Sequence, residues 1–112
     1  MPVVTEALHT GGYLLSEGAG RISRDQITVA AGDALLVGQV LTRGANGVYA
    51  PYDAANEATA PATAILYAAL PASANPRPAV ATTRLAEIAK AQLTGVSDAA
   101  IADLASHFII VR

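Results

Sequence analysis

The chain has no cysteine, no tryptophan, a single phenylalanine and only 14% charged residues among its 112 positions. Without cysteine there are no disulfides, thiolate metal sites or thiol catalysis, and a well-packed domain needs no covalent staples. Seven basic residues against nine acidic ones give a formal net charge of -2. With no Lys/Arg run to neutralise phosphates, nucleic acid is excluded as the main partner, and an anionic membrane surface with it. No stretch approaches the ~18 apolar residues that cross a bilayer. The first ten residues, with Glu6 and His9, lack the basic and apolar regions of a secretion signal, so the chain reads as cytosolic when made.

Catalytic equipment is equally sparse. The two histidines and nine carboxylates are spread along the chain, no Gly-x-Ser-x-Gly elbow is present, and no His/Asp/Glu cluster has metal-ligand spacing. The sequence therefore offers no catalytic, metal or cofactor-binding residues. His9 lies near the N-terminus. His107 ends the last expected helix, where an imidazolium complements the helix dipole in a structural role. Gly18-x-Gly20 follows no apolar strand and lacks both a third glycine and a following Lys-Ser/Thr, so it cradles no phosphate.

What is present is apolar and small. Hydrophobic residues make up 53% of the chain, many of them alanine, which implies close backbone packing in one domain. A domain of this length buries roughly two-thirds of its unfolded surface and has no room for a large interdomain cleft. Residues 1–20 read differently from the rest. Glycines at 11, 12, 18 and 20 surround the patch Tyr13-Leu14-Leu15, with no period sustained enough for a helix or a paired strand. A frayed terminus and a flexible arm both fit; the apolar patch, unfavourable in water, argues for an arm completed by contacts from outside. Arg21 and Arg24 then either form surface ion pairs or anchor the arm to an acidic partner edge.

Residues 21–112 read as a single β-rich domain. Ile22, Gln26–Val29 and Ala34–Thr42 are strand-like. Asn46-Gly47 predicts a tight hairpin returning Val48-Tyr49-Ala50 against Gln39-Val40-Leu41. Ala62–Leu70 between prolines predicts a strand of up to nine residues, and Ala79–Thr83 another. In Arg84–Leu93, helix propensity competes with a strand ending in a short turn. Ser97 caps a helix whose Ala100, Ile101, Leu104 and Phe108 share one face, with Asp98 in the first turn. Phe108–Val111 closes the chain as an apolar strand. The fold class is α+β, mostly β: a small barrel-like domain with one firm C-terminal helix and a flexible N-terminal arm.

Two resemblances follow. The run Val29 to Leu41, with its Gly-Asp and Gly-Gln-Val-Leu, looks like the strand-turn-strand of biotinyl and lipoyl carrier domains. Those present a lysine at a hairpin tip, whereas the tips here are Asp33 and Asn46-Gly47 and the only lysine is Lys90. The second covers nearly the whole chain. His9-Thr-Gly-Gly-Tyr-Leu-Leu-Ser16, Ile22-Ser-Arg-Asp25, Ile27-Thr-Val, Ala31-Gly-Asp, Gly38-Gln-Val-Leu41, Tyr49-Ala-Pro-Tyr-Asp53, Ala64-Ile-Leu66, Arg84-Leu-Ala-Glu-Ile88 and Ile109-Ile-Val-Arg112 together resemble the head decoration proteins of tailed phages, the family of phage lambda's capsid-stabilising protein D. Asn56–Thr63 departs from the Asp/Gly-rich sequence common in relatives. The resemblance implies homotrimers on the local three-fold axes of the expanded head, bracing it against packaged DNA. It implies the major capsid protein as partner, with the arm adding as a strand to it. The implied contact residues are Thr10, Gly11, Gly12, Tyr13, Leu14, Leu15, Ser16, Arg21, Ile22 and Arg24.

Overall fold

Two strands carry apolar residues on both faces and thereby divide the molecule into two cores. They are β3 (Val40–Arg43) and β5 (Ala62–Leu66). One side of each contributes Leu41, Ala64 and Leu66 to a cluster with Val29, Leu35 and Ala81. The other contributes Val40, Ala62 and Ile65 to a cluster with Tyr13, Tyr52, Ile88, Leu104 and Ile109. Side chains alternate across a strand, so a strand buried on both faces reads as continuously apolar. The computed structural model describes residues 9–19, 22–56 and 60–112.

The first core fills a closed five-stranded barrel made of β3, β5, β2 (Arg24–Val29), β4 (Tyr49–Pro51) and β6 (Arg77–Thr82), in the order β2-β4-β3-β5-β6. Its interior is filled by Leu35, Leu41 and Leu66 together with Val29, Ala64 and Ala81. The second core lies between the barrel wall and a three-stranded sheet, β1 (Leu14–Glu17), β7 (Ala86–Ile88) and β8 (Ile109–Val111), in the order β1-β7-β8. Helix α1 (Asp98–Ala105) closes it with Ala100 and Leu104. Among the described residues, no helix is long and apolar enough to cross a membrane.

The expected hairpin forms, with Gly47 at φ 82° and the Asn46 side chain accepting from Val48 N–H. Its register differs from the expected one. Thr42 pairs with Ala50 and Arg43 with Tyr49, because the turn is tight enough for Gly44 N–H to reach the Val48 carbonyl at 2.9 Å. Ala34–Gln39 is not a continuous strand: Gln39 N–H turns back to Leu36, and only isolated bridges form, Leu35 with Leu70 and Gln39 with Thr94. The nine-residue strand stops at Leu66, and β6 begins two residues earlier than expected, at Arg77.

Arg77 is buried, and its guanidinium donates to the carbonyls of Ala30, Asp33 and Pro71 at 2.7–2.9 Å, binding the loops that follow β2 and precede β6. In Arg84–Leu93 the strand wins over the helix: Ala86 and Ile88 are buried while Glu87 faces out, and a short 3-10 turn, Lys90–Gln92, follows. Ser97 caps α1 as expected, accepting from Ala100 N–H at 3.1 Å. Phe108 leaves the helical face, however. The chain turns at φ 61° and leaves that ring 68% exposed.

Candidate functional site

The segment singled out in the sequence builds one side of the three-stranded sheet. Gly11 sits at φ 67°, its N–H bonded to the Tyr67 carbonyl, and a β-carbon there would come within 2.7 Å of the Tyr67 ring. Glycine alone fits this approach. Thr10 and Gly12 are exposed in the same turn. Leu14–Glu17 then pairs antiparallel with β7, Leu14 opposite Ile88 and Glu17 opposite Ala86, with a bulge between Leu14 and Ser16. The sequence alone shows no paired strand here because the partner is supplied from far along the chain and the bulge breaks the alternation.

Tyr13 is fully buried. Its hydroxyl lies 2.7 Å from Thr82 Oγ1 and 3.4 Å from the Ile65 carbonyl, and burial pushes the phenol above its ordinary range. Tyr13, one of the contact residues that the resemblance implies, lies inside this chain's own core. Leu15 does face solvent, at 56% exposure, and so does Ile22. Ser16 donates to Glu87 at 3.0 Å.

Arg24 is engaged internally. Its guanidinium pairs with Glu17, whose carboxylate also accepts from Ser23 Oγ at 2.6 Å, and it lies over the Tyr67 ring at 4.4 Å. The Arg24 hydrogen bond holds the Glu17 carboxyl below its usual range, helped by Ser23. The hydrogen bond from Ser16, with the Arg112 ion pair, lowers Glu87 in the same way. The structure thus brings Ser23 and Arg24 together at Glu17, the last residue of β1, while Ser16 of the same strand is tied to Glu87. Arg21 lies outside the described residues.

Sequence reasoning missed Glu17, Glu87 and Tyr67, which hold β1 in place. It also missed a small apolar cluster at one end of this sheet. Leu85 and Phe108, which precede the paired ends of β7 and β8, both have left-handed backbones, at φ 53° and 61°, and both are exposed. Ile22 and Leu85 flank Gly18. Bulky residues in this conformation are unusual, and the sequence carries no signal for them.

As the end strand of its sheet, β1 has β7 on one side and, among the described residues, no strand on the other. The site is therefore, among the described residues, an open strand edge flanked by apolar side chains, a geometry suited to protein contact. Among the described residues no group of three or more His, Asp or Glu could hold a metal ion. Lys90 lies in the 3-10 turn and not at a hairpin tip, unlike the modified lysine of a carrier domain. No curated protein and no solved structure matches the chain. Residues 3–109 match the family model for the bacteriophage lambda head decoration protein D. A match over nearly the whole chain, joined to a β-rich domain with an open strand edge, makes this protein a member of the bacteriophage lambda head decoration protein D family, structural proteins of the phage capsid.

Proposed function

We propose that the protein binds as trimers at local three-fold axes on the outer surface of the expanded head and braces it against the pressure of packaged DNA. Residues 1–20 act as its capsid-binding arm, and β1 adds as a strand to an edge of the major capsid protein. The observation that carries this reading is the outer edge of β1, on which no strand lies among the described residues, with Leu15 and Ile22 exposed beside it. Main-chain pairing along such an edge gives affinity, and side chains facing the partner give specificity. In this arrangement Thr10, Gly11, Gly12, Leu14, Leu15, Ser16, Arg21 and Ile22 form the contact strip. Tyr13 and Arg24 position it, the first as a buried anchor and the second through Glu17.

Ordering a free arm of some fifteen residues costs on the order of 15 to 30 kcal/mol of backbone entropy. A strand already held by β7 removes part of that cost from the binding step, roughly 4 to 8 kcal/mol for the four residues of β1. Closed heterologous contacts between three copies then present three such edges at once.

The test is co-sedimentation with expanded and unexpanded heads of the phage that encodes the chain, using the intact protein and Leu15→Asp. Binding of the intact protein to expanded heads only, lost in the folded variant, is the expected result. Equal binding by the variant overturns the strand-addition mechanism, and no binding by the intact protein overturns the decoration role.

A further inference from the structure

Strand β2 belongs to two ladders of unequal length. Its pairing with β6 runs through all six residues, from Arg24 opposite Thr82 to Val29 opposite Arg77, whereas β4 meets it only where Val29 pairs with Tyr49. The Ser23 carbonyl accepts from Thr83 N–H, and Ala30 N–H donates to the Tyr49 carbonyl. In an antiparallel ladder the main-chain groups of alternate residues turn to opposite edges. Those of residues 23, 25 and 27 therefore turn to β6, and those of 24, 26 and 28 turn toward β4. The β2–β4 pairing reaches no further along β2 than Val29, so Gln26 presents both its N–H and its C=O at an edge where, among the described residues, no strand lies.

A groove of about 890 Å³ follows this edge, lined by Gln26, Ile27 and Ala79 from β2 and β6 and by Arg43 and Tyr49 from β3 and β4. The strand is six residues long, RDQITV, roughly 20 Å at about 3.3 Å per residue. It contains neither the proline nor the lysine that commonly blocks an exposed edge. Arg43 is exposed and has no hydrogen-bond or ion-pair partner among the described residues. Asp25, the carboxylate that lines the groove, is held by Arg84 and Thr83.

We propose that this edge is a second docking site for the major capsid protein. An extended segment of that protein adds to β2 beside Gln26 and sets an acidic side chain against Arg43. The inference rests on the capsid-decoration reading. A second copy of this chain is a poor occupant, because the carboxylates on its strands, Glu17, Asp25 and Glu87, are already paired with Arg24, Arg84 and Arg112. The fitting occupant is a different protein, and family membership gives this chain the capsid shell as its partner; the exposed Arg43 selects an acidic extended segment of it.

The experiment measures binding to expanded heads for the intact protein, Gln26→Pro, Arg43→Glu and Arg43→Lys, together with amide hydrogen exchange of the bound intact protein. The Gln26 N–H takes no part in the β6 ladder, so proline blocks the edge without breaking the barrel. Expected are a tenfold or greater loss of affinity for Gln26→Pro and Arg43→Glu, near-retention for Arg43→Lys, and slowed exchange across residues 24–29 on binding. If the intact protein binds and both disruptive variants bind equally well, the second site is overturned while the decoration role stands. If the intact protein fails to bind expanded heads, the decoration role fails and this site with it. A change in sedimentation of the free Gln26→Pro protein with head binding unchanged assigns the edge to a second copy and overturns the proposal. Should Gln26→Pro not fold, Arg43→Glu and the exchange data decide.

Discussion

Tyr13 and Phe108 show opposite uses of an aromatic side chain in a protein with few of them. The Tyr13 ring is enclosed, and its hydroxyl completes a hydrogen bond with Thr82, itself fully buried. Tyr13→Phe leaves the Thr82 hydroxyl short of that partner, and the expected cost is about 1–2 kcal/mol, read as a lower urea midpoint with an unchanged slope. Phe108 is held open to solvent on a left-handed backbone. Its exposed ring contributes little burial, so Phe108→Gly relieves backbone strain and raises stability by roughly 1 kcal/mol. In a domain of this size that is a rise of several degrees in Tm. A stabler but less readily assembling variant marks strain kept for function. A fall in Tm instead shows that the ring supports the fold.

At the scale of elements, β1 is the strand whose attachment depends most on ionised carboxylates. Glu17 joins it to Arg24 at the start of β2, and Ser16 joins it to Glu87, which also holds Arg112 beyond β8. Both carboxyls sit below their ordinary values in the folded protein. A depressed folded value means that the unfolded state binds the proton first, so the stabilisation is complete above the ordinary glutamate value of about 4.3 and is lost as pH falls through the folded values. The amides of Leu14–Glu17 are therefore expected to lose exchange protection below about pH 4 while those of β3 and β5 keep theirs. Glu17→Gln combined with Glu87→Gln abolishes the difference. Simultaneous loss across β1 and the barrel shows that β1 is not a separately acid-sensitive element.

The same strand marks how far the sequence could be read. The Asn46-Gly47 turn, the Ser97 cap and the apolar closing strand carry their signals within a few residues, and each appears where expected. Leu14–Glu17 carries no such signal. Its partner is β7, its alternation is broken by a bulge, and its neighbouring glycine is explained only by the Tyr67 ring packed against it. For Arg84–Leu93 local propensity favours a helix, but burial of Ala86 and Ile88 against the second core imposes a strand. The candidate site was legible as a stretch of chain, Thr10 to Arg24. Which of its side chains face inward was not, because that depends on contacts made across the whole sequence.

For the whole molecule, decoration is a question of how many weak contacts act together. A single edge of four residues, two of them exposed, offers limited main-chain pairing and modest apolar burial. In the proposed trimer, joining three such edges turns the second and third contacts into intramolecular events at roughly millimolar effective concentration, and avidity then exceeds the single-site affinity by about 10²–10⁴. Saturation of expanded heads is therefore expected to rise more steeply with protein concentration than a one-site curve whenever the free protein is monomeric at the concentrations used. Isotherms collected by co-sedimentation, beside analytical ultracentrifugation of the free protein over the same range, check this. A hyperbolic isotherm from a free monomer means that each copy binds alone, and trimer-based avidity is then excluded. A hyperbolic isotherm from a preformed trimer is instead consistent with it, since the cooperative step has been completed before the head is met.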